Sequence, residues 1–454
     1  MTDISTVILA AGSCKTASEK IKVVHKLCGK PLVSWVYRQA EKINSDSIIT
    51  VIGKNREVVK EALGEDKAYV VQEQQLGTGH AVQVALSHIP QSGVVVVLCG
   101  DVPLITAETL SYAIQHHINS RNAATVITAC VSNPHGYGRI VRGEKGDVLG
   151  IVEEKDANEH QKNIKEINSG LYCFDGALLR EVIESLHNDN DAGEYYLTET
   201  LSILLENGYS VGTYRTEDET EITNVSNMVE LAQAEKLMRL RINTKHMMAG
   251  VCITDPEHTY IGGGCTIGKD TMVLPGTIIG PGCKIGKSCV IGPNANIKDA
   301  VIGDGCEINA STVTESTVGN NVNMGPYAYV RPGSTIADNV KVGDFVEVKN
   351  STIGEGTKIA HLTYVGDSDV GKNVNFGCGT VTVNYDSKKK HRTTIGDNAF
   401  IGCNTNLVAP VKVGDGAYTA AGSTITEDVP GDALAIARSR QCVKENWRKK
   451  KFDK

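Results

Sequence analysis

Beyond residue 250 an aliphatic–glycine pair returns every six residues, and few patterns constrain a fold as tightly. Ile261-Gly262, Ile267-Gly268, Ile279-Gly280, Ile285-Gly286 and Ile291-Gly292 share one register, with Val273 at the intermediate place. The pair recurs with shifts of phase at Ile302-Gly303, Val318-Gly319, Val342-Gly343, Ile353-Gly354, Val370-Gly371, Ile395-Gly396, Ile401-Gly402 and Val413-Gly414. An aliphatic side chain pointing inward, followed by a small residue at a corner, specifies a parallel β-helix with three faces to a coil of roughly 18 residues. A single coil cannot bury its apolar side, so the coils must stack. Such a scaffold fixes no chemistry, which has to be argued from particular residues on it.

Before residue 250 the period is different. Apolar strands at Val7-Ile8-Leu9, Ile48–Ile52 and Val94–Leu98 alternate with helical patterns over 32–43 and 79–86. That alternation predicts an α/β domain with a Rossmann-like, mostly parallel sheet covered on both faces. Residues 227–248 carry Leu231, Ala234, Leu237 and Leu240 at helical spacing. The expected organisation is a first domain over 1–228, a linker helix over 229–249 and a β-helix domain over 250–454. A last helix of the first domain is the alternative for the middle segment.

Composition excludes several classes of protein. The 454 residues carry a net charge of -7, which argues against a nucleic-acid binder. The basic run Arg448-Lys449-Lys450-Lys451 reads as a solvated tail, or as help in holding a phosphorylated ligand. The 13 cysteines are scattered without C-x-x-C spacing, against a zinc site. Cys252, Cys265, Cys283, Cys289 and Cys306 are expected as small core residues in a reducing compartment. No apolar run nears the ~18 residues of a membrane span, and the N-terminus lacks the basic region of a signal peptide. A cytoplasmic protein without membrane partners is expected.

Three pieces of the first half suggest phosphate chemistry. Leu9-Ala10-Ala11-Gly12 ends the first strand in small residues that let backbone N–H groups approach a phosphate. Gln72 and Thr78, in the polar stretch Gln72–Ala81, could hydrogen-bond the edge of a base. The strand ending in Cys99-Gly100-Asp101 puts a carboxylate where it could hold Mg²⁺ against a phosphate, and Lys22 could neutralise that phosphate. Each piece has a plainer reading as a turn, a cap or a surface lysine.

Together, Leu9-Ala10-Ala11-Gly12, Gly29-Lys30-Pro31, Gln75-Leu76-Gly77-Thr78-Gly79 and Gly100-Asp101 resemble sugar-phosphate nucleotidyltransferases. With Gly136-Tyr137-Gly138-Arg139, Ile151-Val152-Glu153, Glu166–Gly170 and the hexads behind them, the chain resembles the bifunctional N-acetylglucosamine-1-phosphate uridyltransferase/glucosamine-1-phosphate acetyltransferase family over nearly its whole length. The resemblance implies a left-handed β-helix and a homotrimer with acetyl-transfer sites between subunits. It implies acetyl transfer from acetyl-CoA to glucosamine-1-phosphate, then uridyl transfer from UTP to N-acetylglucosamine-1-phosphate with release of pyrophosphate.

Carried over by residue, Leu9 to Gly12, Gln72, Gly77 and Thr78 would hold the uridine nucleotide, and Cys99 and Gly100 belong to the nucleotide- and sugar-binding set. Gly138, Glu153 and Asn168 hold the sugar, and Lys22 faces the phosphates. Asp101 and Ser226 bind Mg²⁺. The sequence departs from the family where Gly-x-Gly-Thr-Arg is usual. It reads Gly12-Ser13-Cys14-Lys15-Thr16, one residue shorter before Lys22, and Lys15 or Lys20 would have to replace the arginine. Ser226 stands where the family has a metal-binding asparagine; Asn227 would take that place by a one-residue slip. Both departures predict slow uridyl transfer.

On the β-helix, coil spacing stacks Arg331 and Lys349, where both could bind one phosphate. His361 is the candidate base. Glu347 is not a whole coil from it, so only the fold or a neighbouring subunit could bring that carboxylate to the imidazole. The resemblance makes His361 the base, with Arg331, Lys349, Tyr364 and Asn375 around glucosamine-1-phosphate. It places Cys378, Asn384, Tyr385, Cys403, Ala421 and Arg438 against acetyl-CoA. A loop over 387–394 interrupts the hexads here. Two rival readings stay open: an acetyltransferase with a vestigial first domain, and a catalytically silent scaffold.

Overall fold

The computed structural model describes residues 2–12, 21–54, 56–189 and 193–452. The chain forms two compact units that divide between Met238 and Arg239. The altered segment Ser13–Lys20, with Lys15 and Lys20, lies outside the described residues.

The first unit is built on a nine-stranded sheet. Its central strand Ile4–Ala10 runs parallel to Ser47–Ile52 on one side and Val94–Cys99 on the other. Val95 and Val97 enter one apolar cluster while Val94, Val96 and Leu98 enter another. This is why the segment reads as an unbroken apolar run: both faces of the strand are covered. The sheet is mixed, not uniformly parallel. Glu166–Asp175 runs antiparallel between Val94–Cys99 and Ala124–Cys130, and Arg139–Arg142 pairs antiparallel with Val148–Val152. An apolar strand pattern reports burial and not direction, so this reversal was invisible in the sequence.

Helix Met228–Met248 spans 21 residues, and the division between the units falls within it. Asn227 begins it: its Oδ1 accepts from the backbone N–H of Val229 at 2.9 Å and of Glu230 at 3.0 Å. These bonds satisfy two of the amides that every helix start leaves free.

The second unit is a parallel β-helix of three sheets with 11, 10 and 9 strands. Most strands are two residues long, the first outward and the second inward, as in Ile278–Ile279 and Lys284–Ile285. The inward residues, from Ile253 through Ile291 and Val342 to Ile425, form one continuous core. Glycine follows because neighbouring coils touch there: a Cβ at Gly262 would lie 2.5 Å from the nitrogen of Pro281. Cys265, Cys283, Cys289 and Cys306 are buried as expected, but Cys252 is exposed. It is the outward member of the pair Cys252–Ile253, so alternation turns it away from the core.

Candidate functional sites

The sheet of the first unit opens onto two adjoining cavities that share Leu9, Thr78 and Cys99 in their walls. One, of about 320 Å³, is lined by Leu9, Ala11, Gly12, Lys22, Gln72, Gly77, Thr78, Cys99 and Asp101, among others. Ala10 and Gly100 are not in that wall. Ala10 is buried in the core behind it, and a Cβ on Gly100 would meet the Leu9 carbonyl at 3.0 Å. Gln72 is 3% exposed. Its amide nitrogen donates to Gly77 O and contacts His80 Nδ1, each at 3.0 Å. The amide oxygen is thereby left as an acceptor for a base N–H.

Gly77 has φ +107° with ψ 177°, a region open essentially to glycine. A Cβ there would lie 2.6 Å from the Tyr195 carbonyl. Gly77→Ala is therefore expected to destabilise the first unit by about 1–3 kcal/mol and to weaken UTP binding. Urea unfolding of the full chain, with the UTP dissociation constant, checks this; an unchanged midpoint and affinity would contradict it.

Lys22 Nζ sits 2.7 Å from Asp101 Oδ2 and 3.3 Å from Ser226 Oγ. Val225 N–H donates to the Asp101 carbonyl at 2.9 Å, which ties the segment before the long helix to the strand end. Asp101 and Ser226 thus both lie at the Lys22 ammonium. Asn227, the alternative by a one-residue slip, turns its amide oxygen to the start of the helix. No group of three or more His, Cys, Asp or Glu side chains that could hold a metal occurs among the described residues. One carboxylate with a neighbouring hydroxyl is still a hard oxygen set, which suits Mg²⁺ that takes its remaining ligands from phosphates and water.

The second cavity, of about 380 Å³, is lined by Glu153, Gly136, Gly170 and Thr198 among others. A Cβ on Gly138 would stand 3.4 Å from Glu153 Oε2 and 3.5 Å from Asn168 Cβ. The three residues assigned to the sugar are therefore neighbours, and glycine leaves the room between them. Burial raises the Glu153 carboxyl above the ordinary range, and Thr198 donates to it at 3.4 Å. Asn168 donates to the Tyr172 hydroxyl at 2.8 Å and accepts from Gly170 N–H at 2.9 Å, which fixes its amide. Behind them the buried Arg139 pairs with Glu154 at 2.6 Å.

On the β-helix the strand register builds a column. Asp344 pairs with His361, and Ile359, Phe376, Ile401 and Thr419 follow one another across the same sheet. Continued by two residues, that register stacks Asp344, His361, Cys378, Cys403 and Ala421 on successive coils. The Arg438 side chain comes within 3.8 Å of the Cβ position at the neighbouring Gly422. Asp344 Oδ1 lies 2.5 Å from His361 Nδ1, and the imidazole holds that carboxyl below its usual range. The partner of His361 within this chain is Asp344. Glu347 does not reach it: its Oε1 takes Arg331 Nη1 at 2.6 Å. The signal for Asp344 was present, since it stands 17 residues from His361, one coil away.

Beside this column Lys349 follows Arg331 by one coil, as the strand register extends. Two residues that sequence reasoning missed complete the group. Asp367 is buried and accepts from Asn350 at 2.6 Å and from Asn384 at 2.5 Å, with Lys349 at 3.5 Å. Burial raises its carboxyl, but Asn350, Lys349 and Asn384 outweigh that and hold it below the ordinary range. Lys390 stands opposite Tyr385 across the loop, and Lys349 pulls its ammonium below the usual lysine range. Tyr364 OH accepts from Asn384 at 3.3 Å. Asn375 lies on the strand next to that of His361, and Tyr385 is exposed.

The two units and their sites define a nucleotidyltransferase joined to a hexapeptide-repeat transferase. Residues 5–235 match the nucleotidyl transferase family. Residues 258–291 and 392–427 match the bacterial transferase hexapeptide family, and 292–377 the GlmU-like C-terminal hexapeptide family. The chain is 54% identical to the bifunctional protein GlmU of Caldanaerobacter subterraneus subsp. tengcongensis, over 100% of this chain and 99% of that one. It is 54% identical to that of Acetivibrio thermocellus, over 98% and 97%. To that of Clostridioides difficile it is 50% identical, over 100% and 99%. The chain belongs to the GlmU family.

Proposed function

We propose that this chain makes UDP-N-acetylglucosamine in two steps at two sites. The β-helix unit transfers acetyl from acetyl-CoA to glucosamine-1-phosphate. The first unit then joins the product to UTP and releases pyrophosphate. The observation that carries this reading is the presence, in one chain, of both the Lys22–Asp101 cleft and the Asp344–His361 pair. The likeness to bifunctional relatives runs through both units, so nothing favours an acetyltransferase with a vestigial first domain.

In acetyl transfer, the Asp344 contact to Nδ1 leaves Nε2 as the ring nitrogen able to take a proton. The sugar amine attacks the thioester carbonyl, Nε2 takes the amine proton, and that proton passes to the sulfur as the carbon–sulfur bond breaks, so that CoA leaves as the thiol. Asp344 orients the ring and supports the imidazolium as it forms. Asp344→Asn is expected to lower the acetyl-transfer kcat about 10–100-fold with little change in KM. Steady-state release of CoA checks it, and a kcat within twofold of wild type would show the pair to be idle. Arg331, Lys349 and Lys390 supply the charge for the acceptor phosphate, and the Cys378–Cys403–Ala421 column with Asn384, Tyr385 and Arg438 faces acetyl-CoA.

In uridyl transfer a phosphate oxygen of N-acetylglucosamine-1-phosphate attacks the α-phosphorus of UTP in line. Gln72 and Thr78 set the nucleotide. Gly138, Glu153 and Asn168 set the sugar, and Lys22 neutralises phosphate charge. Mg²⁺, held at Asp101 and Ser226, would supply further charge neutralisation to the phosphates.

The proposed domains are 1–228, a linker helix over 229–249 and 250–454. A homotrimer is proposed because the family resemblance implies one, closed symmetry is the default for oligomers, and the exposed Asp344–His361 column leaves one side of an acyl site open. A cytoplasmic setting suits the nucleotide and thioester substrates. No helix among the described residues is long and apolar enough to cross a membrane. The full chain, given each half-reaction's substrates separately, should release CoA in one assay and pyrophosphate in the other. Release of only one product would overturn the bifunctional reading.

A further inference from the structure

The coil that carries the acyl site is interrupted. Asn375 pairs directly with Phe400, so the residues inserted between these strands must hold their own shape. They do so around one carboxylate. Asp386 Oδ1 accepts from the backbone N–H groups of Lys388 and Lys389, each at 2.8 Å. Its Oδ2 lies 2.7 Å from His391 Nε2. His391 N–H donates to Asn384 O at 2.9 Å, and Tyr385 and Lys390 face each other as an antiparallel bridge. The loop tip is thus closed by Asp386 on one strand and His391 on the other.

The closure opposes a repulsion. Lys390 stands opposite Tyr385, whose neighbour Asn384 reaches the Asp367 carboxylate that Lys349 also meets, and the charges of Lys349 and Arg331 act on it. Like charges at short range push apart, and the Asp367 carboxylate offsets only part of this. Arg392 is anchored to Asp369, with contacts at 2.9 and 2.5 Å, but it follows the tip and cannot hold Lys390 inward. We propose that Asp386 and His391 form a clip that keeps Lys390 facing the acceptor phosphate, which makes both of them positioning residues for acetyl transfer. The proposal rests on the reading that Arg331, Lys349 and Lys390 receive that phosphate. An incoming phosphate then meets three preplaced cations and does not have to order the loop itself.

The test is steady-state acetyl transfer by the full chain carrying His391→Leu, Asp386→Ala, His391→Gln or Lys390→Met. His391→Leu and Asp386→Ala should raise the KM for glucosamine-1-phosphate about tenfold, the worth of one charge-assisted hydrogen bond. Their kcat should stay within about threefold of wild type, a margin of roughly half a decade in rate. Inorganic phosphate, competing with the acceptor, should lose inhibitory strength in parallel. His391→Gln keeps a donor toward Asp386 and should restore most of the affinity. Uridyl transfer and the unfolding midpoint report that each variant is folded; if His391→Leu is not, Asp386→Ala with His391→Gln decides. A raised KM for Lys390→Met with none for Asp386→Ala or His391→Leu overturns the clip and leaves the phosphate reading standing. No rise for any of them overturns that reading too. A fall in kcat at constant KM, or a failure of His391→Gln to rescue, also overturns the clip.

Discussion

His361→Ala cuts acetyl transfer by about 10²–10⁴-fold, the usual worth of a general base, and leaves pyrophosphate release within twofold of wild type. The first half of this expectation follows from the column. Asp344 contacts only one ring nitrogen, at 2.5 Å, so the other has no competing role in that pair. The side chain is exposed by 58%, so its removal opens no cavity and the loss reports chemistry, not folding. The second half follows from the two compact units, each with its own site. Initial rates of CoA release and of pyrophosphate release, measured on the same preparation, check both. Acetyl transfer within about threefold of wild type, roughly 0.6 kcal/mol, would remove His361 from the mechanism.

Asp101→Ala has the mirror effect: uridyl transfer falls by about 10²–10³-fold, by analogy with losing one charge-stabilising group in an active site, and acetyl transfer is unchanged. Asp101 holds Lys22 at 2.7 Å, and the same ammonium lies 3.3 Å from Ser226 Oγ. Its loss frees the ammonium that must meet phosphate and removes the anionic oxygen offered to Mg²⁺. Ser226→Asn works in the opposite direction. An amide oxygen is a better ligand for a hard cation than a neutral hydroxyl, so half-maximal uridyl transfer should need less Mg²⁺. Pyrophosphate release titrated with Mg²⁺ measures both variants. Asp101→Ala retaining more than a tenth of the wild-type rate would contradict the assignment, as would Ser226→Asn with an unshifted Mg²⁺ curve.

How far the sequence revealed these sites depends on the kind of regularity each one uses. The hexads displayed the β-helix because glycine follows the inward aliphatic wherever the next coil comes too close for a Cβ, as at Gly262 against Pro281. The direction of Glu166–Asp175 was not displayed, since side-chain alternation is the same for both orientations. The pairing of Asp101 with Ser226 joins distant segments through a backbone bond from Val225; no local pattern encodes it, and the family resemblance supplied it. Within the acyl site, Arg331 and Lys349 were found by counting coils. The coil between Asp344 and His361 is one residue shorter, 17 residues, so a strict count of 18 misses Asp344, whereas Glu347 attracted attention as a carboxylate and within this chain accepts from Arg331. Asp367 and Lys390 were missed for different reasons. Asp367 lies at a buried corner where a charged residue is uncommon unless paired. Lys390 lies in the insertion, where the period that locates everything else is lost.

In the proposed function one chain carries two complete and separable sites. The most direct measurement of that claim is UDP-N-acetylglucosamine formation from glucosamine-1-phosphate, acetyl-CoA, UTP and Mg²⁺ by His361→Ala, by Asp101→Ala and by the two mixed. Each variant alone should form little product, because one step is missing in each. The mixture should form it readily, with N-acetylglucosamine-1-phosphate released by the Asp101→Ala protein and consumed by the His361→Ala protein. Substantial product from either variant alone, or none from a mixture of two folded proteins, would contradict the account.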